Sequence, residues 1–143
     1  GLNGGARPAQ AGSSLADVAK EYIGERDGKI DDPDVRHKVT VMNMNRAAFR
    51  LTAARANAEN KSGTPGAATS IFKLYGAALQ QDGAELKREL MGFRGLGAKG
   101  HGFSEQELTS VEEWLHLKAT TIYGGSNEIQ ANIIAKRVLG LPE

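Results

Sequence analysis

Residues 32–60 read DPDVRHKVTVMNMNRAAFRLTAARANAEN, and this stretch decides the fold class. Asp32 is a good N-cap, and Pro33 suits the first helical position because its missing N–H would have no intrahelical partner there. From Pro33 to about Asn60, Val35, Val39, Met42, Phe49, Ala53 and Ala56 recur at helical spacing. Val41, Met44, Ala48 and Leu51 widen that stripe, so burial on more than one side is expected. A helix of this length needs partners, and the flanking sequence offers them.

Upstream, a first helix is expected from about Ala11 to Ile23, burying Leu15, Val18 and Tyr22. Downstream, Thr64-Pro65 repeats the start signal for a third helix to about Met91, carrying Ile71, Phe72, Tyr75, Leu79, Leu86 and Leu90. Ser104 and Glu107 form a capping box for a fourth helix with Leu108, Val111, Trp114 and Leu115. A fifth begins near Ser126 and carries Ile129, Ile133, Ile134 and Val138 until Gly140 and Pro142 end it. No segment reads as a strand. The expectation is an all-α antiparallel helical bundle of four to five helices forming one domain over 1–143.

The 18 glycines are about twice the average share of roughly 7%, which in other chains signals loops or disorder. Here they cluster between the periodic segments and punctuate them. Gly76 and Gly83 fall inside the third helix, where close approach of a neighbouring helix would explain them. A net charge of +1 gives no electrostatic case for nucleic-acid binding. The absence of Cys excludes a disulfide scaffold, a thiol catalyst and a Cys-based metal site. No apolar run approaches the roughly 20 residues of a membrane span, and a cytoplasmic location is expected.

Few residues outside one segment offer chemistry. His37, His101 and His116 lack the spacing of a helical metal pair, so no metal ligands are assigned. Glu105, Glu107, Glu112 and Glu113 read as a solvated helix face. Arg46 interrupts the apolar stripe and either meets an anion or snorkels to the rim. The run Gly92-Phe93-Arg94-Gly95-Leu96-Gly97-Ala98 fits neither phosphate-loop fingerprint, since no strand precedes it; it reads as a flexible connection or a loop lying against a cofactor. In Thr120-Thr121-Ile122-Tyr123-Gly124-Gly125-Ser126-Asn127-Glu128-Ile129-Gln130, two glycines permit a sharp turn and Ser126 can cap the next helix. Spacing alone leaves a plain turn and an anion-accepting helix start both open.

The stretch from Ile122 through Gln130, continued by Asn132-Ile133-Ile134-Ala135-Lys136-Arg137-Val138-Leu139-Gly140-Leu141-Pro142, closely resembles the C-terminal signature of acyl-CoA dehydrogenases. Tyr22-Ile23-Gly24-Glu25-Arg26 looks like the family's helix end with its Glu-Arg pair, and Lys73 falls on the following long helix. The resemblance covers the whole chain but only about the last third of such an enzyme; the N-terminal helical and middle β-barrel domains are absent from it. It implies a flavoprotein that removes two hydrogens from an acyl-CoA thioester, with FAD as cofactor and a glutamate as base. By motif, Tyr123 and Gly124 would contact the substrate, and Gly125, Ser126 and Glu128 the FAD, with Arg26 reaching the FAD diphosphate of a neighbouring subunit. An electron-transfer flavoprotein or similar acceptor is implied as partner, and a homotetramer or hetero-oligomer as the assembly.

Three departures qualify this. Where many members carry the catalytic glutamate, this chain has Gly124, so no catalytic residue is assigned within it. A second group carries its glutamate in an earlier Glu-Arg pair, which aligns just before Gly1; either that base lies upstream, or the subunit has none and serves a catalytic partner. Asp27-Gly28-Lys29 and Phe93-Arg94-Gly95-Leu96-Gly97 also differ from the family's usual cofactor contacts. These residues alone are expected to be inactive, and the wide apolar face of the second helix suggests self-association.

Overall fold

Three of the helices start where a side chain, that of Ser14, Asp32 or Ser104, satisfies their first free amides. In the computed structural model, which describes residues 14–59 and 68–142, Ser14 opens α1 (Leu15–Tyr22) with a reciprocal capping box to Asp17. That arrangement also holds the Asp17 carboxyl below its usual value, through the Ser14 hydroxyl first and the Ser14 N–H second. Asp32 caps α2 (Pro33–Glu59), its carboxylate accepting from the N–H groups of Asp34 and Val35 at 2.9 Å each. α3 spans Ala68–Leu90, α4 Glu105–Leu117 and α5 Asn127–Ile133, the last running into a single wider turn over Ile134–Val138. Ser14 thus opens α1 about one turn later than the start expected near Ala11, and the beginning expected at Thr64-Pro65 lies outside the described residues. The all-α, five-helix bundle class stands as expected.

One short element was not foreseen. Glu25–Arg26 (β1) pairs antiparallel with Lys29–Ile30 (β2), with Glu25 opposite Ile30. The two-residue turn puts Asp27 at φ 52° and Gly28 at φ 77°, and Asp-Gly is among the pairs that tolerate two such values in succession.

The chain divides into two units, one holding 14–41 and 83–115, the other 42–59, 68–82 and 116–142. In the first, Leu15, Val18 and Ala19 of α1, Ile30, Val39 of α2, Leu86, Leu90 and Met91, and Val111 of α4 are buried. In the second, Met42, Ala77 and Leu79 are buried, and Phe49 sets its ring 5.8 Å from Phe72 and 5.9 Å from Tyr75. A methyl at Gly76 would stand 3.0 Å from the Phe49 ring, which accounts for that glycine by close helix approach.

The expected two-sided burial of α2 is corrected: Val39 and Met42 are buried, whereas Val41, Met44 and Leu51 on the flank are exposed. Ile71, Tyr75, Leu115, Ile129 and Val138, expected inside, are exposed as well, and so is Arg46. The glycine-rich connection is not a slack linker. Gly92–Leu96 forms a 3-10 turn in which a methyl at buried Gly95 would overlap the Arg88 carbonyl oxygen.

Candidate functional site

In the second unit, the 3-10 turn Lys118–Thr121 follows α4, and the Ala119 carbonyl accepts from both Ile122 and Tyr123 N–H at 3.0 Å. The chain then passes through Gly124 (φ 69°) and Gly125 (φ 96°), where a side chain would be strained. This turn is held from outside. Lys73 of α3 donates from Nζ to the Thr120 carbonyl at 2.6 Å. Gln81, two helical turns further along α3, donates from Nε2 to the Leu117 carbonyl at 2.9 Å and to the Thr120 hydroxyl at 3.2 Å. Buried Gln130 of α5 reaches back to the Gly124 carbonyl at 3.0 Å.

Tyr123, Gly124, Gly125, Ser126 and Glu128 therefore share one turn, with Tyr123 half-exposed on its edge. Ser126 has the extended backbone of an N-cap, but its hydroxyl makes no cap hydrogen bond, contrary to the capping role expected. It bonds instead to the Glu128 carboxylate, which with the backbone N–H of Glu128 itself holds that carboxyl below its usual value. A carboxylate so stabilised is a weaker base than a free one.

Arg26 lies in the first unit, on the hairpin. Its guanidinium forks onto Asp31, with both nitrogen–oxygen distances 3.1 Å. The pair borders a depression of about 490 Å³ lined by Arg26, Asp27, Lys29, Asp31, Pro33 and Arg36. Such an exposed pair contributes about 0–1 kcal/mol, so Asp31 holds the guanidinium weakly enough for a polyanion to displace it.

Elsewhere in the first unit, Glu107 does not belong to a solvated face. It is 5% exposed, accepts from Ser104 N–H at 2.7 Å and Tyr22 O–H at 3.0 Å, and pairs with Arg94 at 3.6 Å. Its capping box demands that inward turn, and the tyrosine and arginine that complete the set are distant in sequence.

The Ser126 hydroxyl and the Glu128 carboxylate are groups that could meet the ribityl, ribose or amine groups of a flavin dinucleotide, and Arg26, in the other unit, is by itself a cation that could meet a diphosphate. Asn127 Oδ1 adds to the fit, being a buried acceptor with no hydrogen-bond partner. An unpaired buried acceptor costs about 1–3 kcal/mol, which a bound O–H or N–H would relieve. Of the residues at this turn, Gln81, Asn127 and Gln130 had no role assigned from sequence, and Lys73 had served only as a landmark. A polar residue in a helix shows no target until the turn it reaches is built.

The family described as acyl-CoA dehydrogenase, C-terminal domain, matches residues 5–139. The chain belongs to this family. Acyl-CoA dehydrogenase IpdE1 of Mycolicibacterium smegmatis is 35% identical over 136 residues, covering 95% of this chain and 31% of that protein. IpdE1 of Mycobacterium tuberculosis is 35% identical over 130 residues, covering 91% of this chain and 31% of its own length. The chain thus spans about a third of the length of these acyl-CoA dehydrogenases. Among solved structures, a chain of the ChsE4–ChsE5 complex from Mycobacterium tuberculosis superposes with a TM-score of 0.73 at 22% identity, over 91% of this chain and 34% of that one. That likeness shows the shared fold.

Proposed function

We propose that these residues form the C-terminal helical domain of an FAD-dependent acyl-CoA dehydrogenase that oxidises the α,β bond of an acyl-CoA thioester. The observation that carries this reading is the pinned Tyr123-Gly124-Gly125 turn: two glycines with positive φ bring bare backbone to an exposed edge beside an aromatic hydroxyl. Tyr123 and Gly124 would border the thioester, while Gly125, Ser126 and Glu128 would hold the flavin, and Arg26 would reach the FAD diphosphate of a neighbouring subunit. Asn127 Oδ1 would accept a ligand hydrogen. Bound FAD would supply the two-electron acceptor.

The α-proton needs a base that Gly124 is unable to provide, and Glu128 is weakened as one by its own hydrogen bonds. The base therefore comes from outside this turn. The full-length polypeptide is expected to oxidise an acyl-CoA in the presence of an artificial electron acceptor, and the 143 residues alone to give no turnover. Robust turnover by the shorter chain would overturn the reading of a partial enzyme.

A second reading rests on Gly124 and on the structural neighbour's being a complex of two differently named chains. In it the subunit lacks a base and supports a catalytic partner. A Glu-Arg pair encoded just upstream of Gly1 would favour the enzyme, and its absence the supporting subunit. In either case we infer a cytoplasmic protein that self-associates or joins a partner, since the flank bearing Val41, Met44 and Leu51 is uncovered; an electron-transfer flavoprotein or similar acceptor would reoxidise the flavin. Among the described residues no helix is long and apolar enough to cross a membrane.

A further inference from the structure

The geometry points to Gln130 as a positioning residue that aims the Gly125 N–H at the cofactor. Gln130 is 7% exposed, and its Nε2 donates to the Gly124 carbonyl oxygen at 3.0 Å. That oxygen and the Gly125 N–H belong to one peptide unit, which is planar and trans, so they point in opposite directions. Drawing the carbonyl toward α5 therefore turns the N–H outward, toward the exposed side of the turn where Tyr123 and Gly124 lie.

Nothing but glycine fits this arrangement at 125. A methyl there would stand 2.7 Å from Gln130 Nε2 and would displace the amide, in addition to the strain of φ 96°. The upstream end of the turn is already fixed through Lys73 and Gln81, which leaves the 124–125 peptide plane as the part Gln130 sets. A plane held in advance donates to an acceptor atom without the entropy of ordering at binding, which is the advantage of preorganisation. This inference rests on the reading of Gly125 as a flavin contact.

The test uses the full-length polypeptide and measures FAD affinity from pH 5 to pH 8 for wild type, Gln130→Leu and Gln130→Glu, alongside the circular dichroism of each. Gln130→Leu should weaken FAD binding roughly three- to tenfold at all pH values, the span of one neutral hydrogen bond. Gln130→Glu should bind as poorly at pH 8, where a carboxylate has no hydrogen to donate, and recover part of the way toward wild type at the acid end of the range, where burial favours the protonated form. Lys73, Lys118, Tyr123 and Glu128 are the other ionisable groups at this turn, and the wild-type profile accounts for them. A purely structural role would give equal losses at every pH in both variants, and that result overturns the proposal, as does wild-type affinity in Gln130→Leu. A Gln130→Leu protein that fails to fold leaves the decision to the pH profile of the near-isosteric Gln130→Glu. Wild type that binds no FAD overturns the flavin reading itself, a different outcome from wild type that binds and variants that do not differ.

Discussion

Glu107 and Tyr22 show how much one buried pair of side chains can hold. Tyr22 donates to the Glu107 carboxylate at 3.0 Å, and partial burial first, then that hydrogen bond, push the phenol well above its usual value of 10.0. Neutral Tyr22 is the form the fold favours. Its contribution to stability is therefore complete below the unfolded value near 10 and is lost as the pH rises toward the higher folded value. Ultraviolet titration of the chain should show one tyrosine ionising well above the usual phenol value, and Tyr22→Phe should abolish that late step. The same substitution strands an oxygen of Glu107 and should cost about 1–2 kcal/mol in urea unfolding below pH 9; equal stability of the two proteins would contradict the assignment. From sequence, Ser104 and Glu107 were legible as a capping box, but the partners Tyr22 and Arg94 were not, because no local pattern encodes the 85-residue separation of Tyr22 from Glu107 or reaches from Glu107 back across the glycine-rich connection to Arg94.

Among the elements, starts were more legible than faces. Asp32 caps α2 as Asp-Pro implies, and Asp32→Ala should cost about 1 kcal/mol in thermal or urea unfolding while leaving the helix content nearly unchanged. A loss under a few tenths of a kcal/mol would mean the cap is redundant. The apolar stripe of α2 was legible too, yet its Met44 and Leu51 flank is exposed, since periodicity marks what can be buried and not what covers it. The hairpin was missed although Asp27-Gly28 is a strong turn signal, because strands of two residues have no alternation to read. At the candidate turn, Gly124 and Gly125 announced an unusual backbone, while the side chains that pin it come from α3 and α5 and emerge only with tertiary structure.

For the whole molecule, the exposed flank of α2 predicts association. Light scattering of the full-length protein should give more than a monomer, and Met44→Glu combined with Leu51→Glu should shift it toward monomer without loss of helical signal. A strict monomer for the unsubstituted protein at high concentration would argue that this face has no polypeptide partner. The central claim, that this domain serves a flavin-dependent acyl-CoA dehydrogenase, is tested most directly by the visible absorbance of the purified full-length polypeptide. The account predicts a yellow protein whose flavin is released as FAD on denaturation and restored by added FAD; a colourless protein that added FAD fails to reconstitute would contradict it.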